Sequence, residues 1–283
     1  MNFFYLISII LFITLQNVTK KIYGDKTGGR GTYLFSVLSS FAAMLFFIVT
    51  SGKLKWDAGV LPYSFGFAVS YATATVASLI ALSSGSLSIT TLIISYSLML
   101  PTLYGLIFLK DPISIGLIPG IILLAISLVL INKKSEDAPH ISLKWIISVT
   151  LAFLCNGLCS VFQKMQQVVY DGAYKNEFMT YALLMVVVML SFFVFAKETK
   201  EVKISLKSGW IFAVVCGLMN AVVNLFVMLL SGKMPASLMF PLISAGGIVL
   251  TYIISKFFYK EKLSKLQLTG FILGTASVVL LNI

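Results

Sequence analysis

The chain has 283 residues, of which 59% are hydrophobic and 11% charged, and its formal net charge is +11. A soluble domain carries about 25% charged residues, so this chain cannot cover itself with a water-facing surface, and its composition fits a bilayer as solvent. The cations lie between apolar runs rather than on one basic face, which argues against nucleic acid as partner and for membrane-flanking charge. Cys155, Cys159 and Cys216 all fall inside apolar runs, giving neither a disulfide framework nor metal-ligand spacing. No cofactor is implied.

In chain order the apolar runs cover residues 3–19, 32–50, 58–81, 87–109, 113–131, 143–162, 178–195, 210–230, 236–258 and 266–283. The first has no cation before it and no small-residue cleavage site after it, so it is expected to be a spanning helix rather than a signal peptide. Backbone polar groups in hydrocarbon must be satisfied within the segment, so each run is expected to be a helix and irregular chain is confined to the short polar connections. The expectation is an all-α membrane protein with ten transmembrane helices.

The runs repeat. Lys110, Ser114, Gly120 and Asn132 recur as Lys260, Ser264, Gly270 and Asn282, a constant offset of 150 residues. In both copies a cation–acid turn, Lys110-Asp111 or Lys260-Glu261, separates two apolar runs. Gln16 and Tyr23 recur as Gln163 and Tyr170, and Ser84-Gly85 as Ser231-Gly232. A fixed internal period marks a duplicated unit, here residues 1–132 and 142–283. Five helices per unit is an odd number, so the second unit enters the membrane from the opposite side. The two form inverted five-helix repeats, a transporter architecture with its site at the repeat interface.

This five-plus-five layout, with a cation–acid turn before the fifth and tenth helices, resembles the drug/metabolite transporter superfamily in its EamA-like branch. The resemblance covers the whole chain and implies a basket of helices around a central cavity that opens alternately to each side. It also places the fifth and tenth helices outermost, where some relatives dimerise, so a homodimer through them is an expectation. The four-helix drug exporters of the superfamily use a membrane-embedded Glu in the first helix. Here that helix has Gln16 and Asn17 and no acid, which speaks against proton-coupled export of cationic drugs.

No Asp or Glu lies within any of the ten runs, so the site must be built from neutral polar groups. On the sixth helix, read as continuing a turn past its run, Asn156, Ser160, Gln163 and Gln167 share one helical face, with Lys164 on its flank. The eighth carries Asn220 and Asn224 one turn apart. The third carries Tyr71, Thr75 and Ser78, and the fourth Ser95 with Tyr96 beside it. The substrate-binding set expected from this pattern is Gln16, Asn17, Tyr71, Ser95, Tyr96, Asn156, Ser160, Gln163, Lys164, Asn220 and Asn224. Interhelical hydrogen bonds of about 0.6 kcal/mol each are the plainer account of the Ser and Thr positions. Asp111 and Glu261 precede helices and suit N-terminal capping.

With Lys164 the candidate fixed charge, a neutral, zwitterionic or carboxylate-bearing solute is favoured over a cation. The expected function is that of a secondary transporter, exporter or permease, for a small polar and amino-acid-like metabolite in the inner cell membrane. The rivals are a lipid-linked sugar flippase and an intramembrane enzyme. The enzyme reading suffers from a single His and no intramembrane acid.

Orientation divides the signals. The resemblance puts both termini in the cytoplasm. Fifteen of the 21 cations, however, fall on the side of the odd-numbered connections, counting Lys144 and Lys256 just inside the flanking runs, and six on the other side, which under the positive-inside rule puts the termini outside. Both agree that the termini share one side. A reporter fused after Ile283 and a cysteine tag at Met1 are expected on the same face; opposite faces would refute the helix count.

Overall fold

The computed structural model describes residues 2–111, 115–116, 119–120, 122–123, 126–127, 130, 142–200, 202–260 and 264–280. Most of the fifth run, the junction between the proposed units, Glu261 and the last residues of the tenth run lie outside them. All regular structure among the described residues is helical: α1 Asn2–Thr27, α2 Thr32–Ser51, α3 Leu61–Ser84, α4 Leu87–Ser95, α5 Met99–Phe108, α6 Leu143–Val169, α7 Lys175–Lys197, α8 Val202–Ser231, α9 Ala236–Phe258 and α10 Lys265–Leu280. The described residues include seven spans long and apolar enough to cross a membrane, one of them α4 and α5 taken together.

The fourth run is not one continuous helix. Between α4 and α5 the backbone tightens into a 3₁₀ turn at Tyr96–Leu98. Pro101 explains this locally, because it has no N–H to offer the Ser97 carbonyl four residues back. Gly157 of α6 packs against that carbonyl, and a Cβ there would lie 2.5 Å from the Ser97 oxygen.

Helix neighbours alternate between the two halves of the chain. α3 lies along α6, α1 along α8, and α2 along both α7 and α8, while α9 contacts α1, α4 and α5. The shared interior holds Phe47 of α2, Phe67 of α3, Phe178, Leu183 and Val186 of α7, and Met228 of α8, all essentially inaccessible. Apolar stripes face outward instead: Phe3, Ile7, Leu11 and Leu15 on α1, and Leu151, Leu154 and Leu158 on α6. In water such stripes would be a liability; against lipid tails they cost nothing.

Contacts at the helix ends define two opposite faces. On the first, the Tyr23 hydroxyl bonds the Gly31 carbonyl at 2.8 Å, and Trp145 Nε1 donates to Thr90 Oγ1 at 3.0 Å. On the second, Glu177 accepts from the Lys55 N–H at 2.9 Å and Asp111 from the Ala236 N–H at 3.0 Å. Asp111 thus caps α9, a helix of the other half, as well as preceding its own. Lys110 and Lys260 both adopt left-handed backbone, φ 55° and 50°, so these two positions share a conformation as well as a residue type.

One cap has a measurable consequence. α2 begins at Gly31 with no side-chain cap of its own. Buried Glu198, just past α7, supplies it by accepting from the Tyr33 and Leu34 N–H groups, both at 3.0 Å. Glu198→Ala should cost about 1.5–3 kcal/mol, the range for hydrogen bonds to charged groups, with Glu198→Gln intermediate. Thermal unfolding in detergent measures this, and a wild-type midpoint for Glu198→Ala would refute the capping role.

Candidate functional site

A cavity of about 140 Å³ lies at the centre of the bundle, lined by α1, α3, α4, α6, α8, α9 and the 3₁₀ turn. Phe67, Phe240, Ile243 and Val223 supply apolar wall. The polar lining comes from both halves: Gln16, Asn17 and Lys20 of α1, Tyr71, Thr75 and Ser78 of α3, Ser95 of α4, Asn156, Ser160 and Gln163 of α6, Asn220 and Asn224 of α8, and Ser244 of α9.

Side-chain amides connect across this space in one direction of donation. Gln163 Nε2 donates to Asn224 Oδ1 at 2.6 Å, and Asn224 Nδ2 to Asn220 Oδ1 at 2.6 Å. Asn220 Nδ2 then donates to Gln16 Oε1 at 3.1 Å, and the Tyr71 hydroxyl also donates to Asn220 Oδ1 at 3.1 Å. Two amides one turn apart on α8 therefore link Gln16 of α1 to Gln163 of α6, one glutamine from each half of the chain. In a low-dielectric interior an unpaired amide is costly, and this chain satisfies four with one another. Asn156 sits one step aside, donating to Ser97 Oγ at 2.7 Å.

Nine of the eleven residues expected from sequence line the cavity: Gln16, Asn17, Tyr71, Ser95, Asn156, Ser160, Gln163, Asn220 and Asn224. Tyr96 and Lys164 do not. Tyr96 is buried, and its hydroxyl meets Ser127 Oγ at 2.9 Å beside α10, where Ser127 in turn donates to the Gly270 carbonyl. One residue on from Ser95 is about 100° round the helix, enough to turn it away. Gln167, a further member of the α6 face, is buried and donates to Gln166.

The expectation that Lys164 supplies the cavity's charge is corrected by its contacts. Its ammonium donates to the Ser231 and Met234 carbonyls at 2.8 and 3.3 Å. Ser231 is the last residue of α8, where carbonyls have no helical partner, and Met234 lies in the turn that follows, so Lys164 caps that terminus on the second face. Lys21 of α1 does the same on the first face, donating to the Leu82 and Gly85 carbonyls at the end of α3, both at 3.1 Å. The cation that reaches the cavity is Lys20, which the 3–19 run assigned to a connection. α1 continues to Thr27, and Lys20 Nζ donates to Ser78 Oγ at 3.2 Å. The signal that could have found it is the three-residue step from Asn17, which keeps both on one face.

Lys164→Met should therefore act as a stability variant. It should lose about 1.5–3 kcal/mol, seen as a lower unfolding temperature, while the relative rates among transported solutes stay as in wild type. Altered solute preference at unchanged stability would place Lys164 back in the site.

A solved crystal structure resembles this fold with a TM-score of 0.66 at 11% sequence identity, covering 96% of this chain and 94% of that one, a likeness of fold alone. No curated protein sequence matches. The family model described as the EamA-like transporter family matches residues 143–283. With the apolar spans and the cross-half bundle, this multi-pass membrane protein belongs to the drug/metabolite transporter superfamily.

Proposed function

We propose that the chain is a secondary transporter of a small polar, amino-acid-like metabolite in the inner cell membrane, working by alternating access between two inverted five-helix repeats of a ten-helix fold. The observation that carries this reading is the central cavity, whose polar groups come from both halves and are tied by the amide chain from Gln163 to Gln16. Solute-sized polar cavities at a repeat interface suit this mechanism.

Three further observations support the inverted repeat. The helix pairing is preserved when α1, α2 and α3 are exchanged with α6, α7 and α8: α3–α6 maps onto α1–α8, and α2–α8 onto α3–α7. Asp111 touches the N-terminus of α9, and 23 residues of α9 rise about 34 Å before Lys260, so Lys110 and Lys260 belong to opposite faces. The capping lysines are likewise one per face. The Lys21 contact holds α1 to α3 and the Lys164 contact holds α6 to α8. Alternating access requires the two faces to part in turn, and these are contacts that must loosen as they do.

Reconstitution in liposomes with a panel of labelled amino acids and nucleosides tests the reading. Saturable uptake of at least one solute is expected in wild type. Gln163→Leu and Asn224→Leu should each reduce it about fivefold or more at matched protein, since each leaves a buried amide unpaired, a loss of about 1–3 kcal/mol. Wild-type rates in both variants would remove the cavity from the transport path.

A further inference from the structure

Lys20 is the charged group that the proposed transport mechanism leaves without a task. Two other cations on the cavity-lining helices meet protein groups instead of the cavity. Lys21 pairs with Asp25 at 3.6 Å and caps α3, and Lys164 caps α8. Lys20 instead lines the cavity, with Ser78 Oγ as its hydrogen-bond acceptor. The Ser78 hydroxyl donates to the Thr75 carbonyl at 3.0 Å, so its lone pairs are what Lys20 meets. An ammonium has three donors, and no Asp or Glu among the described residues pairs with this one. An intramembrane cation held by one neutral hydroxyl is expensive, and such groups mark substrate paths.

The neighbours narrow the ligand. Asn17 is three residues before Lys20 and Gln16 four, so all three share a face within about 6 Å of helix rise. Gln16 is engaged with Asn220. Asn17 lines the cavity, and no side-chain hydrogen bond joins it to another described residue. Its amide can both donate and accept. A single fixed ammonium can pair with one carboxylate, which leaves Asn17 to meet a polar group beside it.

We infer that the Lys20–Ser78 end of the cavity is an anion subsite that binds the carboxylate of a short 2-amino or 2-hydroxy acid, with Asn17 receiving the adjacent amine or hydroxyl. This rests on the transport reading for the fate of the solute, but binding can be measured separately.

The test uses the purified full-length protein with L-alanine, L-phenylalanine and L-lactate as probes, the three matching amides, and inorganic phosphate. Thermal stabilisation gives binding, and uptake into liposomes gives transport. At least one acid should stabilise wild type, with its amide about tenfold weaker, the scale of one charge-assisted hydrogen bond. Lys20→Gln should erase the acid preference, and Lys20→Arg, which keeps the charge, should retain most of it.

The comparison of acid with amide in wild type needs no variant, so a misfolded Lys20→Gln leaves the inference falsifiable. Equal binding of acids and amides, binding of phosphate alone, no binding of any probe, or an acid preference that survives Lys20→Gln would each overturn the subsite. Acid binding that depends on Lys20 without uptake of any probe would uphold the subsite and count against transport. Uptake indifferent to Lys20 would uphold transport and overturn the subsite.

Discussion

Four side-chain amides in the middle of an apolar bundle set the constraint on which the rest of this structure depends. Gln163, Asn224, Asn220 and Gln16 each carry donors and acceptors that lipid and aliphatic side chains cannot satisfy. Their mutual pairing is possible only if α1, α6 and α8 converge at one depth. That convergence in turn fixes where α3 must lie for Tyr71 to reach Asn220. The cavity is the space these helices leave when their polar faces meet, and the outward stripes of Phe, Ile and Leu follow from the same rotation of each helix.

A second consequence of the apolar solvent appears at the helix ends. A terminus exposes carbonyls or N–H groups that water would otherwise serve. This chain satisfies several of them across helices: Glu198 at the start of α2, Asp111 at the start of α9, Lys21 at the end of α3, and Lys164 at the end of α8. Charged side chains at the membrane faces therefore join elements distant in sequence. They need not be substrate ligands, and a conformational change that separates those elements must also separate the contacts.

The all-helical membrane fold was legible in the sequence because bilayer insertion makes run length and hydropathy nearly sufficient, and the 150-residue offset from Lys110 to Lys260 is the basis for proposing a duplication. The matching left-handed φ of those two lysines shows that the offset tracks backbone geometry. The amides of the site were legible for a related reason: Asn220 and Asn224 one turn apart, or Asn156 and Gln163 two turns apart, have no place against lipid. Hydroxyl residues carried less information, since Ser70, Thr73 and Ser84 simply return a hydrogen bond to the carbonyl four residues earlier.

The lysines were the failure, and the cause is physical. A hydropathy run stops at its first cation, but a helix does not, because its backbone bonds are indifferent to what the side chain carries. Cutting α1 at Thr19 put Lys20 in a loop, whereas two further turns follow it. Lys164 erred in the opposite sense: it stood beside an amide face, yet the nearest unmet hydrogen-bonding demand was the open end of α8 rather than the cavity. The long stem of a lysine lets its charge settle several ångströms from its Cα. Position on a helical wheel therefore places an amide well and an ammonium poorly, and for the lysines of this chain the acceptors at neighbouring helix ends had to be known before either role could be assigned.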